Sequence, residues 1–352
     1  MGHARAGVAR SLGGPARIRR AVKTAIAWTA LHSGALAWHR RRGADVILLY
    51  HRVVGDAPEL LDYSPYGISV SAASFAAQMQ FLAGSYDVVP LEALARPGNG
   101  PRPRCAITFD DGWRDNLTVA WPILRRHGFP VTIFLATNLM EGGPWFWEER
   151  AMALLAHCHQ RQQQGGAAIA RLRDVPEIAA VLAIGEGELP GALAALIGRL
   201  RDDPARREVV TAALDDAVQQ PGLETAPWFL SWDEVRELAA AGVAFGGHTA
   251  SHVNLARCPD ATAIEEIRDC GRALDYHVGK LDRPFAYPYG KYTTPVRAAV
   301  GEVGFTCGCT TERRLVQSRE ELFGLPRVDV YQDVAESVAM FACRIACFLN
   351  AY

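Results

Sequence analysis

The stretch Thr108-Phe109-Asp110-Asp111-Gly112-Trp113 decides how the rest of this 352-residue chain is read. It continues the apolar run from Cys105, and Cys105 to Phe109 is short, apolar and β-branched in the manner of a buried strand. Two adjacent carboxylates stand at its carboxyl end, and Gly112 breaks the strand directly after them. Neighbouring residues on a strand point to opposite faces, so both carboxylates reach one space only where the chain begins to turn. Side by side they repel, and one must hold a proton unless a cation sits between them. A bound metal removes that conflict, with one carboxylate as ligand and the other left ionised as a base.

Further ligands stand far downstream, in Gly246-Gly247-His248-Thr249-Ala250-Ser251-His252. The i, i+4 spacing of the two histidines puts both imidazoles on one face if the segment is helical. One carboxylate and two histidines leave the open positions of a catalytic zinc site. Taken singly, each motif is equally consistent with a capped turn or a surface histidine pair. Their joint occurrence, each at a strand end, favours the metal.

The two motifs together resemble the polysaccharide deacetylases of the NodB-homology type, carbohydrate esterase family 4. The resemblance runs from about Val46 to Arg327 with one large interruption. It implies a distorted (β/α)7-type barrel that takes Zn2+ or another divalent transition metal. It further implies Asp110 as catalytic base and Asp111, His248 and His252 as the metal ligands. Phe285-Ala286-Tyr287-Pro288-Tyr289-Gly290 resembles the family's Arg-x-Pro-Tyr motif, in which the Tyr289 backbone N–H is the oxyanion donor. One departure is plain: the arginine that orients the catalytic Asp is replaced by Ala286. Arg283 and Lys291 are the nearest basic residues in sequence. The family's Asp- and Trp-bearing fourth motif is not recognisable around Arg327 to Tyr331.

The general acid of the typical family lies in a Leu-x-His near the carboxyl end, and the tail after Val328 has none. Leu49-Tyr50-His51 has that spacing at the opposite end, on the buried strand Val46 to Tyr50. A closed barrel makes its first and last strands neighbours, so His51 is expected to serve as the acid.

The remaining pattern alternates strand and helix, as in an α/β barrel with chemistry at the carboxyl ends of its strands. Val131 to Leu135 and Gly242 to Phe245 read as strands. Ser74 reads as the cap of a helix to Leu82, Asp115 to His127 as a helix ended by Gly128, and Ser231 with Glu234 as a capping box. Ala261 to Gly279 reads as a further helix. Between Glu141 and Ala226 the chain turns Ala-, Leu- and Arg-rich at helical spacing, a helical insertion within a barrel spanning 45–352. Trp145 and Trp147 at its start either floor a sugar cleft or anchor the insertion, and Asn138 is a candidate lining residue.

Composition narrows the function. A net charge of −1 gives no basic field, so nucleic-acid binding has no support. Eight cysteines without a framework of spacings read as reduced thiols, which predicts a cytoplasmic protein. Cys307-Gly308-Cys309 is a close pair that offers a weak second metal site. The first 44 residues hold nine Lys or Arg and no acid. Ala21 to Trp38, followed by His39-Arg40-Arg41-Arg42, is too broken to span a bilayer and lacks a clear signal-peptide cleavage site. It is either an amphipathic helix lying on the inner, anionic membrane surface or a packed terminal helix with a solvated basic face.

These readings predict a metal-dependent hydrolase that removes N-acetyl groups from amino sugars of a polysaccharide or glycan precursor. Two alternatives stay open. One is an O-acetyl esterase or deformylase on a lipid-linked sugar, and the other is a glycan-binding protein that keeps the metal but has lost turnover.

Overall fold

The computed structural model describes residues 14–34, 45–55, 68–96, 100–140, 147–162, 167–185, 188–218, 228–280, 282–317 and 322–347. Trp145 and the cluster Arg40-Arg41-Arg42 lie outside them.

The strands are short apolar runs that a parallel sheet buries on both faces. They are β1 (Val46–Tyr50), β2 (Arg52–Val54), β3 (Ser69–Ser71), β4 (Asp87–Val88), β5 (Arg104–Phe109), β6 (Thr132–Leu135), β7 (Ala244–Gly247), β8 (Arg283–Ala286), β9 (Phe305–Cys309) and β10 (Val328–Asp329). Seven of them form one curled parallel path in the order β10-β1-β5-β6-β7-β8-β9, with β4 added against β5. The small pair β2-β3 stands apart. The path is the distorted (β/α)7-type barrel that the sequence predicts. The last strand does lie beside the first, with Leu48 opposite Val328 and Leu49 opposite Asp329. Closure on the far side is a single bridge, Cys309 to Leu325, rather than a full ladder.

Alternation along the strands divides the core in two. Val46, Leu48, Tyr50, Ile107, Phe109, Ile133 and Leu135 pack outward under the helices. Ile47, Ala106, Phe134, Ala286, Cys307 and Cys309 fill the interior. Small interior side chains leave room for a large one: a Cβ on Gly246 would stand 2.6 Å from the Phe134 ring. The Cys307–Cys309 pair belongs to this packed interior and joins no group of metal-ligating side chains among the described residues.

The helices are α1 (Gly14–His32), α2 (Ala72–Ser85), α3 (Trp121–His127), α4 (Trp147–Arg161), α5 (Ala167–Leu172), α6 (Pro176–Leu182), α7 (Leu189–Asp202), α8 (Pro204–Val218), α9 (Trp232–Ala240), α10 (Asp260–Val278), α11 (Thr294–Val303), α12 (Gln332–Ala335) and α13 (Val338–Ile345). Local chemistry sets several of their ends. Ser231 caps α9 and Glu234 returns the bond, a complete capping box. Gly128 closes α3 at φ 65°. The cap of α2 is Ser71 and not Ser74; the Ser74 N–H donates to Ser71 Oγ, so the helix starts a turn early.

Helices α4 to α8 share a core of their own, including Leu155, Ile178, Leu193, Leu196 and Leu214. Trp147 packs on that core with the Arg207 guanidinium 5.1 Å from its ring centre, so it braces the insertion. Helix α1 ends at His32, and Gly34 takes φ 77° just beyond. Its Ala27 and Ala30 pack on Ala339, Met340, Ala342 and Cys343 of α13. Val22, Ile26 and Trp28 stay exposed. No helix among the described residues is long and apolar enough to cross a membrane.

Candidate active site

The site lies at the carboxyl ends of β5, β7 and β8. Asp110 still follows the strand, its N–H donating to Tyr50 O at 2.9 Å. Alternation therefore sends its side chain to the barrel interior, in line with Ala106 and Thr108. Then the chain turns sharply. Asp111 takes φ 74° and Gly112 φ 81°, which brings the second carboxylate to the same side. Only glycine suits position 112, because a Cβ there would stand 2.7 Å from Leu135 Cδ2. The Trp113 indole N–H donates to Asp111 Oδ2 at 3.0 Å. Asp111 Oδ1 is buried with no hydrogen-bond partner.

His248 follows β7, its N–H donating to Leu135 O at 2.9 Å. Its Nδ1 lies 2.7 Å from Ala286 O. A carbonyl can only accept, so Nδ1 carries the proton and Nε2 presents a lone pair. The segment from His248 to His252 is not helical, contrary to the spacing argument. Thr249 at φ 66° and His252 at φ 58° make a left-handed loop that folds the second imidazole back over the first. The ring centroids are 4.8 Å apart. Asp111 Oδ1 is 3.5 Å from His248 Nε2 and 3.4 Å from His252 Nε2.

This donor set fits a divalent metal. Lone pairs on buried atoms aimed at one another repel unless a cation lies between them. Ligands about 2.0–2.1 Å from a tetrahedral centre stand roughly 3.3 Å apart, close to the spacing found here. The three residues form a group of candidate ligand atoms mutually within 4.8 Å. Burial lowers the His248 pKa to about 4 and that of His252 to about 3, so both rings are neutral and ready to ligate.

Asp110 has a different partner. Arg327, fully buried, donates from Nη1 to Oδ1 and from Nη2 to Oδ2, each at 2.7 Å. It starts ahead of β10, two strands away, and crosses the interior over the Phe134 ring, touching Thr108 Oγ1 at 3.2 Å. Burial alone would raise the Asp110 pKa, but Arg327, with lesser help from His248 and His51, outweighs it and holds the carboxyl at about 2. Arg283, a sequence candidate for this task, pairs with Asp275 instead. Sequence reasoning missed Arg327 because it looked beside Ala286, where the family carries its arginine. The available signal was a lone arginine in Leu325-Pro326-Arg327, entering the strand that neighbours β1.

His51 leaves the end of β1, whose Tyr50 pairs with Phe109, so it emerges beside Asp110. Asn116 Nδ2 donates to its carbonyl at 2.8 Å. His51 lies near enough to Asp110 and His252 to interact electrostatically with both. Tyr289 occupies a left-handed turn at φ 59° after β8, and its ring lies 5.1 Å from that of His252. Asn138, past β6, donates its N–H to Ala250 O at 2.8 Å and so braces the histidine loop.

The chain belongs to the polysaccharide deacetylase family, whose sequence profile matches residues 98–167 and 197–308. Over 289 residues it is 20% identical to YxkH of Bacillus subtilis (strain 168), named as a polysaccharide deacetylase; the match covers 81% of this chain and 70% of that protein. Its fold is similar to that of the Streptococcus pyogenes deacetylase PplD, solved in complex with acetate. The TM-score there is 0.55 at 17% identity, over 86% of this chain and 98% of that one. It is similar as well to IcaB from Ammonifex degensii, with a TM-score of 0.54 at 21% identity, over 85% of this chain and 97% of that one. Family and fold are those of hydrolases of the carbohydrate-esterase type.

Proposed function

We propose that this protein hydrolyses the N-acetyl amide of amino sugars in a polysaccharide or glycan precursor, with a divalent metal, zinc by its donor set. The observation that carries the reading is the orphaned Asp111 Oδ1 facing two neutral imidazoles beside an ionised Asp110. Asp111, His248 and His252 would hold the metal. When bound, a metal of this kind polarises an acyl carbonyl and lowers the pKa of water. Asp110 takes the proton from the attacking water, since Arg327 keeps its carboxylate ionised and fixed. The Tyr289 backbone N–H donates to the developing oxyanion, as the family resemblance implies. His51 gives a proton to the departing amine. An amine needs that proton more than an alkoxide does, so an acid at this position supports an amide rather than an ester. A binder without turnover would have no use for a buried carboxylate kept charged. The test measures bound metal and acetate release together: Asp110→Asn keeps the metal and loses turnover by about 10²–10⁴-fold, whereas His248→Ala loses both. Parental turnover in Asp110→Asn would remove the base from this account.

We propose in addition that α1 rests on an anionic membrane surface. The support is charge and exposure. The first 44 residues carry nine basic groups and no acid, and α1 leaves Val22, Ile26 and Trp28 uncovered while its alanines pack on α13. Eight free cysteines suit a reducing compartment, so the cytoplasmic face is the proposed location.

A further inference from the structure

The Trp113 indole N–H occupies Asp111 Oδ2, and the surrounding structure is built to keep it there. The ring is fully buried. It stacks on Phe229 with centroids 4.5 Å apart, and the Arg52 guanidinium lies 4.6 Å from its centre. Arg52 is in turn fixed by Asp115 at 2.8 Å. Backbone bonds tie the same turn to the segment that returns from the helical insertion. Arg114 N–H donates to Trp228 O at 2.7 Å, and Leu230 N–H donates to Gly112 O at 3.0 Å.

From this geometry we infer that Trp113 is a positioning residue that makes Asp111 a one-oxygen metal ligand, and that the segment 228–230 clamps it in that task. The inference rests on the metal site proposed above. A carboxylate beside a divalent cation can bind through one oxygen or both. With one lone pair of Oδ2 held by the indole N–H, that oxygen is a weaker and less free donor than Oδ1, which disfavours chelation through both. Coordination through Oδ1 alone leaves positions open for water and the acyl oxygen. The donor has no rotational freedom, because Phe229 and Arg52 hold the ring. Groups that orient a ligand in this way govern metal affinity by about 10–100-fold. The insertion acquires a further role here: its return segment braces the metal-bearing turn.

The test compares Zn2+ affinity, by competition with a chromophoric chelator, in the parent and in Trp113→Phe, which keeps an aromatic ring on Phe229. The expected result is an affinity about 10–100-fold weaker with the melting temperature of the metal-free chain little changed. The Co2+-loaded variant should show a weaker visible absorption band, as expected when a freed Oδ2 raises the coordination number. Should Trp113→Phe fail to fold, β-(3-benzothienyl)alanine at position 113 replaces the N–H by sulfur in a ring of the same shape, and the same loss is expected. Parental Zn2+ affinity and an unchanged Co2+ spectrum in either variant overturn the inference and leave the metal site standing. A parent that binds no Zn2+ overturns both.

Discussion

Arg327 and Asp110 face each other across the barrel interior as a two-pronged ion pair, both contacts 2.7 Å long. The pair fixes the direction of the carboxylate as well as its charge, since a guanidinium fork admits one approach. The arginine stands just ahead of β10, although the motif that the sequence resembles would place it at the position of Ala286.

Replacing Arg327 by Gln is therefore expected to act on the base and not on the metal. Asp110 would remain buried without its counter-charge, and burial raises its pKa. Turnover should fall at least about 100-fold, and the acid limb of kcat/KM should move to higher pH. Metal content should stay near that of the parent. The fold should weaken as well, since breaking a buried pair costs about 3–5 kcal/mol. A pH–rate profile of parental shape would show that Arg327 does not tune the base.

The same shifts predict how the metal-free protein responds to acid. His248 and His252 titrate at about 4 and about 3 rather than at 6.5, so stability is complete above pH 6.5 and falls as pH drops toward 4 and below. Asp110 titrates at about 2 rather than 3.8, so its share is complete above about pH 4 and is lost as pH falls toward 2. That share is about 2 kcal/mol by linkage. Urea melts between pH 7 and pH 3 should show the decline, with a shallower slope from 6.5 to 4 in His248→Gln. A midpoint unchanged from pH 7 to pH 4 would contradict these shifts.

What the sequence disclosed follows from how local each signal is. The run Val46 to Tyr50 and the run Cys105 to Phe109 are strands in the fold because short, mostly apolar, β-branched runs suit a doubly covered parallel strand. The capping box at Ser231 was legible because it closes within four residues. Arg327 was not, since its partner lies 217 residues away and only the pairing of β10 with β1 brings them together. The shape of the loop from His248 to His252 was not legible, because i, i+4 spacing aligns the two rings only if the segment is helical and cannot reveal the two left-handed residues found there. Trp113 was quoted within the motif, but its hold on Asp111 depends on that same hidden turn.

His51 is expected to give the proton to the leaving amine. It emerges beside Asp110 at the end of β1, on the side away from β7. His51→Ala should cut amide hydrolysis by about 10²–10⁴-fold, leaving metal content unchanged. An ester analogue of the same sugar should suffer far less. Equal loss on both substrates would assign His51 a structural task.

Sedimentation with vesicles tests the arm. The full chain should bind vesicles rich in anionic lipid and not neutral ones, and should be released as salt rises. Replacing Val22, Ile26 and Trp28 together by Ser should abolish binding without altering hydrolysis of a soluble substrate. Retention that ignores salt and lipid charge would contradict the surface proposed for α1.

The central claim is that Asp111, His248 and His252 bind a metal without which no amide is cleaved. Acetate release from an N-acetylglucosamine oligomer, measured after chelation and again after one equivalent of Zn2+, tests it most directly. Chelation should abolish release, and zinc should restore it in the parent but not in His248→Ala. Undiminished acetate release from the fully chelated protein would contradict it.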